Sequence, residues 1–296
     1  MGKPTSLDGY SEQVTRGCER VLVTLLRHLG PWKKSIFLVG GLTPRYLVPA
    51  KPPEVPQHAG TLDVDVVVDL LILEDTEAYR TLEENLKKIG FERAENDKGQ
   101  KQSWRWKIKI EDGTTIILEL LADKPALRGG KVEPLPTDGQ ISALNVPHSS
   151  IVFDLYDTVE IEAELLGENG LAKETVRFAN IVSFTCLKAL AFEDRAERKD
   201  AHDLVYCIEN SPNGIEAVVS AFRKQMDGNH ADILKTALAI LRDRFATDVT
   251  TEGYRKDGPV AVARFELGED PEDREKRILR QRAVADVIEA LLRFIA

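Results

Sequence analysis

Gly60-Thr61-Leu62-Asp63-Val64-Asp65-Val66-Val67-Val68-Asp69-Leu70 is the stretch on which the reading of this chain turns. Taken with period two, Leu62, Val64, Val66, Val68 and Leu70 line one unbroken apolar face, as in a buried strand. The opposite face carries Asp63, Asp65, Val67 and Asp69. Two acids at alternate positions point the same way, with Cα atoms roughly 6–7 Å apart. Both carboxylates then reach one hard cation or a pair, and paired divalent ions clamp the attacking and leaving oxygens of nucleotidyl transfer. The competing meaning of the pattern is a half-exposed strand with solvated acids. Asp69, about 13 Å beyond Asp65, is too far to share the same ions and reads as structural.

Upstream, Ser35 to Val39 reads as a short strand ending on Gly40-Gly41. Thr43 looks like an N-cap with Pro44 in the first helical position, so a short helix is expected next. A turn without side chains lets backbone N–H groups and a helix N-terminus approach a phosphate, although Gly-Gly alone is more often a plain turn. Downstream, Glu119 is the one acid inside the apolar run Ile116 to Leu121. An unpaired carboxylate is costly to bury there. Either it shares a metal with Asp63 and Asp65, or it lies on a wet edge strand. Asp123, just past the run, is a weaker substitute.

Around this centre the chain divides into an α/β domain, expected over residues 1–175, and a helical domain over 176–296. Val14, Cys18, Val21, Leu22, Leu25 and Leu29 repeat at helical spacing up to Gly30-Pro31. Pro49 to Gly60 is a loop, and Tyr79, Leu82, Leu86 and Ile89 form a helix face closed by Gly90. Trp104, Trp106, Ile108 and Ile110 alternate with Arg105, Lys107 and Lys109 before the hairpin signal Asp112-Gly113. The return strand runs Thr114 to Leu121, Pro125 to Gly139 reads as loop, and Ile151 to Leu166 as one or two strands. Helices are expected at 181–195, 199–209, 214–226, 230–245 and 271–295. The last starts at Asp270-Pro271 and buries Val284, Val287, Ile288, Leu291 and Ile295. Thr247 to Gly268 reads as an irregular connection.

In the helical half, Lys188 stands in an otherwise apolar helix face, with Arg195 seven residues on along the same side. Both are placed to neutralise a triphosphate. Asp200 and Asp203 share a face of the next helix, beside Lys199 and His202. The alternative for this set is an interhelical salt-bridge network.

A chain of 296 residues with 43% hydrophobic and 30% charged residues suits a globular protein of one large or two smaller domains. Its net charge of −9 gives no long-range attraction for nucleic acid, so any RNA contact needs a local basic patch. No run approaches the roughly 18–20 apolar residues of a membrane span, and Met1 to Gln13 lacks a signal-peptide core. Cys18, Cys186 and Cys207 show no metal-ligand or disulfide spacing and read as buried thiols, which points to a cytoplasmic protein. The histidines, at 28, 58, 148, 202 and 230, form no H-x-x-x-H pair, so the spacing supports no zinc site.

The order FLVGGLTPRYLV, GTLDVDVVVDL, IILELLAD and LKALAFEDRAERKDAHDLVYCIE resembles the AbiEii/AbiGii-type nucleotidyltransferase toxins, within the DNA polymerase β-type nucleotidyltransferase superfamily. The likeness covers roughly residues 20–210. It implies an α+β fold: a nucleotidyltransferase-like mixed sheet with flanking helices, then a helical C-terminal domain. It also implies that Gly40, Gly41 and Thr61 hold an NTP and that Asp63 and Asp65 bind Mg²⁺ or Mn²⁺. Glu119 takes the third carboxylate position, Lys188 and Arg195 meet the phosphates, and Asp200 or Asp203 belongs to the fourth motif. The chain departs from the superfamily at Gly-Gly for Gly-Ser, at Ala59 where many members carry Arg, and at Glu119 for Asp.

The activity so implied is transfer of an NMP to a hydroxyl on RNA (tRNA among the candidates) or on protein, in a toxin–antitoxin or phage-defence system with a cognate antitoxin. Arg105, Lys107 and Lys109 with Trp104 and Trp106 are candidates for holding RNA, though the core is the favoured place for the tryptophans. Two other classes fit the residues: a small-molecule nucleotidyltransferase of the antibiotic-modifying kind, and a catalytically silent nucleotide-binding or interaction module.

Overall fold

The computed structural model describes residues 4–70, 82–135 and 140–295. The protein is an α+β molecule with a mixed sheet, nine-stranded among the described residues, and a helical C-terminal region. The chain forms two compact units, neither continuous in sequence. An α/β unit takes Ser11–Thr43 and Gly60–Ala179. A helical unit takes Pro44–Ala59 and the described residues of Met1–Tyr10 and Asn180–Ala296. The sequence expectation had one boundary, at 175/176, and did not foresee the two earlier segments.

The α/β unit begins with α1 (Glu12–Leu29), whose N-cap Ser11 accepts from the Val14 amide at 3.2 Å. Its face of Cys18, Val21, Leu22, Leu25 and Leu29 is fully buried and packs on the sheet, while Arg16 stays exposed. The elements then run β1 (Ile36–Val39), β2 (Asp63–Val68), α2 (Leu82–Ile89), β3 (Glu92–Glu95), β4 (Lys101–Lys109) and β5 (Thr115–Ala122). They continue with β6 (Val132–Pro134), β7 (Ser142–Asn145), β8 (Tyr156–Glu164) and β9 (Leu171–Ala179). The strand order is β3-β4-β5-β2-β1-β9-β8, with β7 paired to β5 and β6 to β7. β2 is central, between β1 antiparallel and β5 parallel. A strand so enclosed buries Val67 as well as Val64, Val66 and Val68, which is why the run is nearly all valine.

Several expectations need correction here. Val132–Pro134 forms β6 inside the expected loop Pro125–Gly139, of which 136–139 lie outside the described residues. Ile151–Asp154 is a helical turn, so the strand begins only at Tyr156. β9 was not foreseen. Its inward side alternates Ala172, Glu174, Val176 and Phe178. Glu174, 5% exposed, breaks the apolar pattern yet is paired with Arg27 at 3.4 Å and Lys33 at 3.0 Å. Tyr79, expected on the face of α2, lies outside the described residues.

The helical unit contains α3 (Ile181–Arg195), α4 (Arg198–Glu209), α5 (Gly214–Gln225), α6 (Ala231–Phe245), α7 (Asp257–Leu267) and α8 (Arg274–Ile295). Asn180 caps α3 by accepting from the amides of Val182 and Ser183. Asp270 caps the short 3-10 turn that leads into α8, and Val284, Ile288 and Leu291 are buried on it. Val287 and Ile295 are half exposed instead. α7 occupies the expected irregular connection. Its Gly258-Pro259 lies in the first turn, where proline is tolerated and no intrahelical donor is lost. A Cβ on Gly258 would stand 2.4 Å from the Phe245 ring, so glycine here admits that ring rather than breaking the helix.

Candidate functional site

In the α/β unit β1 places Val39 opposite Asp65, and the chain leaves the strand at Gly40 with φ +70°. A Cβ on Gly40 would fall 2.0 Å from Asp65 Oδ2. Glycine is therefore what lets the turn meet the carboxylate. Gly40–Leu42 forms a single 3-10 turn, and Thr43 already has helical dihedrals of −57° and −42°. The expected N-cap is thus not formed. The Thr43 hydroxyl is buried and, among the described residues, has no hydrogen-bond partner. No long helix stands behind the glycines, since the helix that follows is only Pro44–Leu47. What the turn offers an anion is backbone N–H, without a macrodipole.

On the other side of β2, β5 sets Asp63 opposite Ile117 and Asp65 opposite Glu119. One carboxylate oxygen from each of Asp63, Asp65 and Glu119 lies within 4.8 Å of the other two. Asp63 is 6% exposed, and Asp65 and Glu119 are half-buried. The Thr61 hydroxyl donates to Asp63 Oδ1 at 2.8 Å, and the Thr61 amide donates to Thr15 Oγ1 at 3.1 Å. Gly60, at φ +94°, brings the chain so near Thr15 that a Cβ would stand 2.1 Å from its hydroxyl. A threonine on α1 therefore fixes the entry to β2, a contact no local pattern announced. Burial and then the charges of Asp63 and Asp65 push the Cys18 thiol well above its ordinary range. Cys18 stays a protonated thiol beside the cluster.

Like charges this close repel unless something positive answers them. One answer is Arg105. It stands opposite Glu119 on β4, its Nε 2.9 Å from Glu119 Oε1. The N–H is not aimed at that oxygen and Nε makes no hydrogen bond, so the contact is an ion pair only. Arg105 is thus tied to the cluster, and it shares its face of β4 with Lys107 and Lys109. Trp106 is fully buried and Trp104 half-buried, so Trp106 belongs to the core. Asp123 accepts from the amide and hydroxyl of Ser150 at 3.2 and 2.6 Å and caps that turn.

In the helical unit Lys188, Arg195, Asp200 and Asp203 meet one another. Lys188 Nζ lies 2.8 Å from Asp200 Oδ1 and 2.6 Å from Asp203 Oδ2. Arg195 donates twice to Asp200, at 2.7 and 2.9 Å. Lys199 reaches both oxygens of Asp203, and His58 Nε2 lies 2.8 Å from Asp203 Oδ1. Burial pulls the Lys188 ammonium down, but the carboxylates of Asp200 and Asp203 outweigh it and hold it above its ordinary value. Burial pushes Asp203 up, but Lys188, Lys199 and His58 outweigh it and hold Asp203 well below the usual carboxylate range. Asp200 is likewise lowered, by Lys188 and Arg195 against burial. The salt-bridge reading of these residues is what the contacts display. His202 and His58, scattered in sequence, stack here with ring centroids 5.6 Å apart.

No protein-family model matches this chain, and no curated protein sequence matches it.

Proposed function

We propose that the protein is a Mg²⁺- or Mn²⁺-dependent nucleotidyltransferase that moves an NMP from an NTP to a hydroxyl of RNA or protein. One observation carries this reading: three carboxylates from adjacent parallel strands converge within 4.8 Å, at the end of β2 where Gly40 packs against Asp65. All three donors are hard oxygens, the set that Mg²⁺ prefers, so the residues fit the ion.

In this reading Asp63, Asp65 and Glu119 hold the cations, and Thr61 fixes the rotamer of Asp63. Ions held there would neutralise phosphate charge and favour the in-line path. The Gly40-Gly41 backbone receives the triphosphate. The acceptor hydroxyl attacks the α-phosphorus, the bond to the β-phosphate oxygen breaks, and pyrophosphate leaves. The hydroxyl proton passes to Asp65 or Glu119. Lys188, one-tenth exposed, acts by fixing Asp200 and Asp203, while Arg195 reaches solvent with half its side chain. The RNA or tRNA acceptor, the antitoxin partner and the phage-defence context rest on the resemblance, and a cytoplasmic location on the cysteines, buried and without disulfide spacing. No helix among the described residues is long and apolar enough to cross a membrane.

A second reading, a catalytically silent nucleotide-binding module, is favoured by the Arg105–Glu119 pair, which already places positive charge at the cluster. The experiment that separates them supplies each labelled NTP with Mg²⁺ and total RNA or protein, using wild type and the Asp63→Ala and Asp65→Ala variants. Label transferred by wild type alone supports the transferase. Equal labelling by all three excludes the cluster as its centre.

A further inference from the structure

We propose that His58, His202 and Asp203 form a second metal site, in the helical unit, and that its ion is Zn²⁺. One donor atom from each of the three lies within 4.8 Å of the other two. The deciding residue is His202. Its side chain is 6% exposed, and its Nδ1 lies 3.0 Å from Glu266 Oε1. An ionised carboxylate only accepts, so Nδ1 carries a proton, and in the neutral imidazole that a metal requires Nε2 carries the lone pair. That Nε2 is buried and has no hydrogen-bond partner among the described residues. A buried acceptor left without a partner is costly, and a ligated one is not.

A carboxylate holding the Nδ1–H of an imidazole is the arrangement that orients a histidine ligand and raises its basicity. Glu266 is itself held, by Arg280 at 2.6 and 3.0 Å, and Arg280 is anchored on Glu209 at 2.8 Å. His58 Nε2 lies 2.8 Å from Asp203 Oδ1, so the second imidazole and the carboxylate are already adjacent. Two imidazoles and one carboxylate are a zinc donor set, whereas Mg²⁺ takes oxygens. Three protein ligands leave one tetrahedral position for water or an exogenous group.

Asp203 also accepts from Lys188 at 2.6 Å and from Lys199 at 2.8 and 2.9 Å. A dication therefore replaces one ammonium. Lys199, four residues from Asp203 on the same helix, is the one that swings off, while Lys188 retains Asp200 as a second partner. The proposal is independent of the transferase reading, because it uses none of Asp63, Asp65 and Glu119.

The test titrates the full-length, chelator-stripped protein with Co²⁺, read by visible absorption, and then displaces the Co²⁺ with Zn²⁺. We expect one equivalent to bring up an intense low-symmetry band, unchanged in the Asp63→Ala/Asp65→Ala double variant, any Co²⁺ taken by the carboxylate cluster adding only weak absorption. Glu266→Gln should weaken binding about 10–100-fold, and His202→Phe should abolish the band. Absence of the band in wild type overturns the proposal, as does its loss in the aspartate double variant or its survival in a folded His202→Phe protein. If His202→Phe does not fold, unchanged affinity in Glu266→Gln overturns it instead.

Discussion

The Oδ2 of Asp65 stands 2.0 Å from where a Cβ of residue 40 would be, and Gly40 meets it at φ +70°. Gly40→Ala therefore meets two penalties, a left-handed backbone costing about 1–2 kcal/mol and a displaced carboxylate. Gly99 supplies the control, since it has φ +71° but open space around it. Urea melts should show Gly40→Ala losing more stability than Gly99→Ala, and only Gly40→Ala should lose divalent-ion affinity, by about tenfold. Equal losses would mean that the Gly40 contact has no bearing on the cluster.

Asp65→Asn removes a negative charge from a cluster of three. In chelator the variant should be as stable as wild type or slightly more so. In saturating Mg²⁺ the wild type should gain stability by binding, about 2.7 kcal/mol when the ion is at a hundred times its Kd, and the variant should not. Identical melting of both proteins with and without Mg²⁺ would show that the carboxylates hold no ion.

Arg105 and an incoming cation compete for Glu119. Arg105→Ala should tighten Mg²⁺ or Mn²⁺ binding about tenfold or more, since a unit charge about 5 Å from a dication is worth roughly 1.7 kcal/mol even in water. Calorimetric titration reads this directly. Weaker binding in the variant would instead make Arg105 a support of the site.

Lys188→Ala leaves Asp200 and Asp203 buried with one cation fewer. Breaking a buried pair by removing one partner costs about 3–5 kcal/mol, so the denaturation midpoint should fall sharply. NTP turnover, measured where the variant remains folded, should fall too. A stable variant with lost turnover would move Lys188 from fixing the helices to touching the nucleotide.

Burial holds the His58 imidazole down at about 4, against the pull of Asp203 and with Lys199 and His202 assisting. In the unfolded chain the value is about 6.5. Between these the unfolded state binds more protons, so stability rises with pH and is lost as pH falls from about 6.5 toward about 4. The full loss is roughly 3 kcal/mol. Asp200, Asp203 and Glu266, all held low, lose their contributions only below the ordinary carboxylate range. Melts of chelator-treated protein at pH 7, 5.5 and 4 should show this slope, and His58→Phe should flatten it.

The alternating valines and acids of β2 announced that strand, and the lone acid at Glu119 announced that β5 would need an answer to its charge. Both signals are local, because side-chain period and burial act over a few residues. β9 escaped because its inward acid, Glu174, is excused by Arg27 and Lys33, which arrive from much earlier in the chain. α7 escaped because Gly258-Pro259 has the composition of a break, and only the Phe245 ring explains the glycine. The ion pair of Arg105 with Glu119 and the stacking of His58 on His202 depend on tertiary register. No spacing rule reaches across such separations.

The chain passes from one unit to the other at Tyr10–Ser11, Thr43–Pro44, Ala59–Gly60 and Ala179–Asn180. A helical region cut out as residues 176–296 would lack His58, the partner of Asp203, and Pro56, whose carbonyl accepts from the Tyr206 hydroxyl at 2.7 Å. It cannot be inherited as a cassette. Recombination that exchanged only the end of the gene would join a new Asp203 to an old His58 and a new Tyr206 to an old Pro56. Two of the crossings also fall inside the motif, Thr43–Pro44 just after Gly40-Gly41 and Ala59–Gly60 just before Asp63. Exchange of the whole helical unit would therefore have to cut on both sides of that excursion.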